Sequence, residues 1–341
     1  MENRKILFTA PGRAELVSCE MPRIAPDEVL IETDYTAISA GTERANLLDM
    51  PNVTHQWPKH LGYSGSGRIV EVGTTVKNFR VGQRVLMDHL GHCAYAKARF
   101  QVNGDGFYPV PEDVDPLEAA FVVVGSMGVQ GARKTRLQMG EAAMVTGLGL
   151  LGLFAVQSMA RMGASPLIAV DFAEDRRRVA LEVGADYALA PDAHFVEAVR
   201  ELTEGRMIQA NVEVTGSSAA LLQSLQVAAR GGRIALAGCT RVSDVPIDFY
   251  TLVHKPGVQL IGAHNHVRPA ADSYWGYWTR HDDFAAMLRM MRMGKMRVRP
   301  MISGVFAPEQ APEVFRELGE NACVPLGRAF DWHKSDGRET I

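Results

Sequence analysis

The stretch Gly147-Leu148-Gly149-Leu150-Leu151-Gly152 constrains this chain more than any other. A GxGxxG alone is a weak signal, because glycine-rich hexapeptides arise by chance. Its neighbours decide the matter. Before it stands Ala142-Ala143-Met144-Val145-Thr146, an apolar run that reads as a buried strand. After it, Leu153-Phe154-Ala155-Val156-Gln157-Ser158-Met159-Ala160 has the spacing of a helix packed on a sheet. Leu167-Ile168-Ala169-Val170-Asp171 then reads as a second strand ending in an acid, about 20 residues past Gly152. Strand, glycine turn, helix, strand and acid in this order predict a dinucleotide-binding unit. The first glycine permits a tight turn, the second lets backbone approach a pyrophosphate, and the third lets helix and strand pack closely. The N-terminus of the helix, through Leu148, Leu150 and Leu151, offers unpaired N–H groups to phosphate oxygens. The Asp171 carboxylate suits an adenosine ribose and repels a 2′-phosphate, so NAD is expected over NADP.

The rest of the composition is that of an ordinary soluble chain. Its 341 residues suit about two domains, with 47% hydrophobic and 22% charged residues. A net charge of −3 gives no electrostatic case for nucleic acid or an anionic membrane. Cys19, Cys93, Cys239 and Cys323 are far apart and form no CxxC, so neither a local zinc knuckle nor a redox pair is indicated. That usage, and an N-terminus without the long apolar core of a signal peptide, suggest a reducing cytosol. No run of 18 or more apolar residues occurs, so no membrane span is expected.

The pattern along the chain changes twice. The first 120 or so residues carry short strand signals bounded by glycine or proline, such as Glu28-Val29-Leu30-Ile31-Glu32-Thr33 and Gly67-Arg68-Ile69-Val70-Glu71-Val72-Gly73. From about Gly140 to His264, strands near 142–146, 167–171, 187–189, 210–214, 232–237 and 258–263 alternate with helices. That alternation predicts a doubly wound parallel sheet. Gly238 follows the fifth strand, at a sheet end of the kind where ligands bind. Helices are expected over 282–294, with its methionines as core filling, and over 309–318. The predicted fold class is α/β: an irregular β-rich catalytic domain (1–120 with 268–341) and a Rossmann domain (121–267).

This order resembles the medium-chain dehydrogenase/reductase superfamily, the zinc alcohol dehydrogenase and quinone oxidoreductase group, over nearly the whole chain. The residues that carry the likeness are Gly67-Arg68-Ile69-Val70-Glu71-Val72-Gly73, Val81-Gly82-Gln83-Arg84-Val85, Cys93-Ala94-Tyr95-Ala96, the glycine loop, Asp171 with Arg176, Val183-Gly184-Ala185-Asp186 and Gly231-Gly232-Arg233-Ile234. The resemblance implies a GroES-like first domain. It also implies cofactor contacts at Gly147, Leu148, Gly149, Leu150, Leu151, Gly152, Asp171, Arg176, Thr215, Gly238 and His264.

The metal-binding pattern of that family is absent. Zinc members place a ligand cysteine in Cys-Gly-Thr/Ser-Asp-x-His, where this chain has Ala40-Gly41-Thr42-Glu43-Arg44-Ala45. Their Gly-His-Glu is replaced by Gly62-Tyr63-Ser64, and a third ligand position falls in the apolar run 121–124. The lobe carrying structural zinc is also missing. A catalytic zinc needs three protein ligands, so no zinc is expected. A displaced site built from His55, His60, His89, His92, His264 or His266 is the alternative. The local sequence looks like a zinc-lacking branch similar to bacteriochlorophyllide dehydrogenases of the hydroxyethyl-oxidising type, which implies hydroxyl/ketone redox chemistry without fixing the substrate.

Without a metal, the substrate oxygen needs hydrogen-bond donors or a general base. The resemblance places Thr42 where the family relays the substrate proton, and Tyr63 where a ligand points into the active site, both beside the nicotinamide. Tyr63 either donates to a carbonyl or, with a lowered pKa, accepts a proton; it can equally fill the vacated cavity. Glu43 and Arg44 add charge nearby, as catalytic and substrate groups or as a structural ion pair. His264, a further catalytic candidate, and His266, a candidate substrate contact, lie in a segment that runs beside the nicotinamide in the family. Tyr274, Trp275 and Trp278 suit a sugar or polyol, or serve as packing. The expected function is a zinc-independent NAD-dependent oxidoreductase on a secondary alcohol or ketone, with a sugar or cyclitol as candidates. The alternatives are an NADPH-dependent quinone or enone reductase and a non-catalytic dinucleotide-binding protein. The strand at 258–262 is expected at a sheet edge, and with it a homodimer.

Overall fold

The computed structural model describes residues 2–321 and 325–334; Cys323 lies outside them. The chain divides into two units, 1–124 with 284–341 and 125–283.

In the first unit, β1 (Asn3–Ala10) and β2 (Arg13–Cys19) form a hairpin. The other strands are β3 (Val29–Ala37), β4 (Ser64–Val72), β5 (Arg84–Asp88), β6 (Tyr95–Ala98) and β7 (Gly106–Pro109), with β14 (Gly304–Phe306) and β15 (Arg328–Asp331) from the end of the chain. They make one sheet in the order β14-β15-β3-β4-β5-β7, and β6 also pairs with β3. Two cores serve it. Ile31, Ile69, Val85, Met87 and Phe107 fill one. Phe8, Leu47, Phe315, Phe330 and Trp332 fill the other, under helices α1 (Ala40–Leu47) and α9 (Ala311–Glu320). Short helix α2 (Pro116–Ala119) is capped by Asp115, whose carboxylate accepts from Glu118 N at 3.1 Å.

The second unit holds β8 (Ala143–Thr146), β9 (Leu167–Val170), β10 (Tyr187–Leu189), β11 (Ile208–Glu213), β12 (Ala228–Leu236) and β13 (Gln259–Gly262). All pair in parallel, in the order β10-β9-β8-β11-β12-β13. That is the Rossmann order, with the reversal at β8/β11. Every residue of β8 and β9 is buried, as expected for strands covered on both faces. The covering helices are α3 (Val122–Lys134, in this unit from Gly125), α4 (Leu150–Met162), α5 (Glu174–Val183), α6 (Phe195–Leu202) and α7 (Ser218–Gln226). Helix α8 (Arg280–Arg292) leads back to the first unit.

Residues 268–283 belong with the dinucleotide unit rather than with the catalytic domain expected from sequence. The reason is a buried charge cluster. Asp283, 0% exposed, accepts from Arg133 Nε at 2.7 Å and pairs with Arg268. Arg268 also donates to Ser126 O at 2.8 Å, so the segment is tied to α3 at both ends.

Candidate active site

The glycine loop is built as its sequence demands. Gly147 has φ +91° and joins β8 to α4. A Cβ on Gly152 would fall 1.9 Å from Gly147 O, so this contact admits glycine alone. A Cβ on Gly149 would meet no protein atom, leaving open the side from which a pyrophosphate would approach. Gly149 is also the N-cap of α4 and supplies no side-chain cap, so the N–H groups of the first turn face outward for a ligand. Leu150 and Leu151 thus contribute backbone, whereas Leu148 N is taken by Asp171; Leu148 and Leu150 bury their side chains.

Asp171 closes the loop from β9. Its Oδ2 accepts from Leu148 N at 2.8 Å and its Oδ1 from Ala173 N at 2.9 Å. Arg176 Nη1 stands 3.8 Å from the same carboxylate. Arg177 donates instead to the carbonyls of Asp171 and Phe172, at 2.8 Å each. On the far side of the loop, Gly147 packs on Thr215. Thr215 is held by Glu213, a buried carboxyl at the end of β11 that accepts from Thr215 N at 2.7 Å and from the Thr215 hydroxyl. Burial raises the Glu213 pKa against the pull of those bonds. A Cβ on Gly238 would sit 2.2 Å from Gly216 N, so the turns after β11 and β12 touch. These residues fit a dinucleotide. Glu213 is a member of the set that sequence reasoning missed; its only signal is an acid at the end of an apolar strand.

Farther along this unit the candidates separate. His264 and His266 are exposed and meet edge to face at 4.6 Å. His266 N donates to His264 Nδ1 at 3.2 Å, and desolvation followed by His266 holds the His264 pKa below its usual value. Trp278 carries the Arg133 guanidinium 3.5 Å above its ring, and Lys134 sits over Tyr277. Trp278 is therefore packing against α3. Tyr274 and Trp275 remain exposed.

In the first unit, Ser39 caps α1 in position but not in bonding. Its hydroxyl pairs with the Tyr63 phenol at 2.7 Å, and Glu43 reaches back to accept from Ser39 N at 2.9 Å. Glu43 and His92 are each 1% exposed, with Glu43 Oε2 and His92 Nε2 3.0 Å apart. His92 Nδ1 lies 2.8 Å from Thr36 Oγ1, which accepts from Trp332 Nε1 at 2.9 Å. A Glu43 carboxylate only accepts, so His92 Nε2 carries a hydrogen and donates to it; a neutral ring then accepts the Thr36 hydroxyl hydrogen at Nδ1. The ion pair expected between Glu43 and Arg44 does not form. Arg44 donates to Leu318 O and Gly319 O, carbonyls of the last turn of α9, and is spent there. Thr42 is exposed on α1.

Burial raises the Tyr63 pKa above its ordinary value; the Ser39 and Thr42 hydrogen bonds oppose this, while Glu43 and Asp88 reinforce it. Of the two roles open to Tyr63, donation is the one this environment favours.

The positions of the family's zinc ligands hold no metal donor set. Ala40 offers no donor atom, and the Tyr63 hydroxyl is engaged with Ser39. The Ser64 hydroxyl donates to Ala120 O at 2.6 Å and accepts from Val124 N at 3.0 Å. These residues do not fit a catalytic zinc. Elsewhere His55 pairs with Asp49, and His60 Nε2 lies 3.3 Å from His92 O. Burial pushes the Cys93 thiol up to about 12, so it is no thiolate at neutral pH. Among the described residues, His89 stands with Asp88 and Asp105 in a group whose possible ligand atoms lie within 4.8 Å of one another.

Comparison with known proteins agrees with both units. The family model described as alcohol dehydrogenase GroES-like domain matches residues 25–109, and that described as zinc-binding dehydrogenase matches 151–272. L-threonine 3-dehydrogenase of Pyrococcus horikoshii is 28% identical over 91% of this chain and 94% of its own. Sorbitol dehydrogenase of Bacillus subtilis is 27% identical over 67% of this chain and 72% of its own. The crystal structure of galactitol-1-phosphate dehydrogenase from Escherichia coli superposes with a TM-score of 0.83, at 18% identity, covering 96% of this chain and 99% of that one. The chain belongs to the zinc-type medium-chain alcohol dehydrogenase superfamily. Within it, the chain is an enzyme of the NAD(P)-dependent alcohol dehydrogenase/reductase type.

Proposed function

We propose that this protein is a zinc-independent, NAD-linked dehydrogenase of secondary alcohols, with polyols or sugar alcohols as the substrate class. The observation that carries the reading is the Tyr63 phenol, held by Ser39 at 2.7 Å at a position where zinc members keep a ligand. A neutral phenol there donates to the substrate oxygen and steadies it through the reaction, with Thr42 as a second hydroxyl. When bound, the nicotinamide supplies or accepts the hydride. The first turn of α4 and Asp171, braced by Leu148 N, hold the other end of the dinucleotide, and Asp171 disfavours a 2′-phosphate. The names of the relatives support the substrate class, since threonine and sorbitol both present a secondary hydroxyl beside polar groups. Asp171 weighs against an NADPH-dependent enone reductase.

The test is NAD⁺ reduction with a panel of polyols, sugars and secondary alcohols, after exhaustive chelation. Turnover by metal-free enzyme supports the reading. Activity that vanishes on chelation and returns with zinc refutes zinc independence, and a panel without turnover refutes the substrate class.

A further inference from the structure

Strands β4 and β5 are antiparallel, with Ser64 opposite Asp88. Tyr63 and His89 are the residues just beyond the ends of the two strands. They face each other as a result: His89 N donates to Tyr63 O at 3.1 Å, and the two rings stack with centroids 5.3 Å apart. His89 Nδ1 lies 2.5 Å from Asp88 Oδ1. The Asp88 side chain is 3% exposed and the His89 ring 38%. Asp105, mostly exposed, is 3.5 Å from the same nitrogen. His89 also has φ +61°, a conformation uncommon for a residue with a side chain.

We propose that Asp88 and His89 form the acid–base dyad of this active site, with His89 the catalytic residue and Asp88 its positioning residue. The proposal rests on the dehydrogenase reading above. An ionised Asp88 only accepts, so Nδ1 carries the hydrogen and Nε2 keeps its lone pair. This is the logic by which a buried carboxylate fixes the tautomer of a general base. In the oxidation, the substrate O–H bond breaks and its proton goes to His89 Nε2 while the C=O bond forms. The electron pair of the carbinol C–H leaves with its hydrogen to NAD⁺, so the substrate is oxidised and NAD⁺ reduced by two electrons. The Tyr63 phenol beside the imidazole serves the same oxygen as donor. The half-exposed ring then passes its proton to water.

The decisive comparison uses metal-free full-length enzyme and its best substrate from the panel. His89→Asn keeps a residue type that tolerates the left-handed backbone. It should lower kcat about 10²–10⁴-fold, with KM within about threefold. An unchanged circular dichroism spectrum and thermal unfolding profile show that the variant is folded. In His89→Gly, which suits φ +61° and opens a ring-sized space, added imidazole should restore turnover in proportion to its concentration. Asp88→Asn should lower kcat with little change in KM. His89→Asn with wild-type turnover overturns the dyad alone and leaves the dehydrogenase reading standing. So does imidazole without effect on a folded His89→Gly. Activity that needs a divalent metal, abolished together with metal binding by Asp105→Asn, assigns the three residues to a metal ion and also overturns the dyad. Wild-type enzyme without turnover on the panel overturns the reading itself and the dyad with it.

Discussion

The Glu43–His92 pair offers a measurable test of how the first unit is held together. Both side chains are 1% exposed, and the carboxylate has two partners, Ser39 N at 2.9 Å and His92 Nε2 at 3.0 Å. Glu43→Gln keeps the shape and one acceptor oxygen. If that oxygen stays on Ser39 N, the amide NH₂ faces the His92 N–H, donor against donor. A hydrogen bond to a charged group contributes about 1.5–3 kcal/mol. For a unit of this size each kcal/mol moves the midpoint by about 2–4 °C, so Glu43→Gln should lower the Tm by about 3–12 °C. Glu43→Ala, which also strands His92, should cost about 3–5 kcal/mol. The assay is thermal unfolding near pH 7.5, followed by a double-mutant cycle with His92→Gln. A Glu43→Gln variant that melts within about 1 °C of wild type, or a coupling energy near zero in the cycle, would refute the assigned network.

Further outcomes can be checked with the same preparations. Gly152→Ala places a Cβ 1.9 Å from Gly147 O and should abolish NADH binding in a titration while the first unit keeps its fold. Asp171→Ser should narrow any preference for NADH over NADPH; tighter NADPH binding by the wild type would contradict the assignment. Tyr63→Phe should lower kcat about 10²-fold, and full turnover would remove Tyr63 from the chemistry. Because folding raises the Tyr63 pKa, its contribution to stability is present below about pH 10 and falls as pH rises further, so wild type should lose more Tm than Tyr63→Phe above that pH. Strand β13 lies at the sheet edge, and light scattering should report a dimer; a mass near 37.3 kDa would refute it.

Legibility in the sequence followed the range of the interactions. The glycine loop, Asp171 and the six strands of the parallel sheet were readable because each is a short local pattern. Helix α3 was not, because Gly125, Gly128 and Gly131 give it poor propensity. The structure shows why they are there: Cβ atoms at these three positions would strike the Phe154 ring, Leu151 O and Val212. Tertiary packing overrides propensity here. Arg44 was misread for the same reason, since its carbonyl partners lie more than 270 residues away in α9. Nor does any spacing announce that Glu43 meets His92, 49 residues on. His89 stood in the sequence as one histidine among ten. Only the β4–β5 register brings it beside Tyr63.

The two backbone bonds of Asp171 bear on anyone wishing to redesign this enzyme for the phosphorylated cofactor. The carboxylate assigned to the ribose also clasps Leu148 N and Ala173 N, so recognition and loop order share one side chain. Removing the charge to admit a phosphate releases the glycine turn as well. A successful switch therefore requires a compensating acceptor for Leu148 N. A single substitution should trade affinity for both cofactors before it gains either.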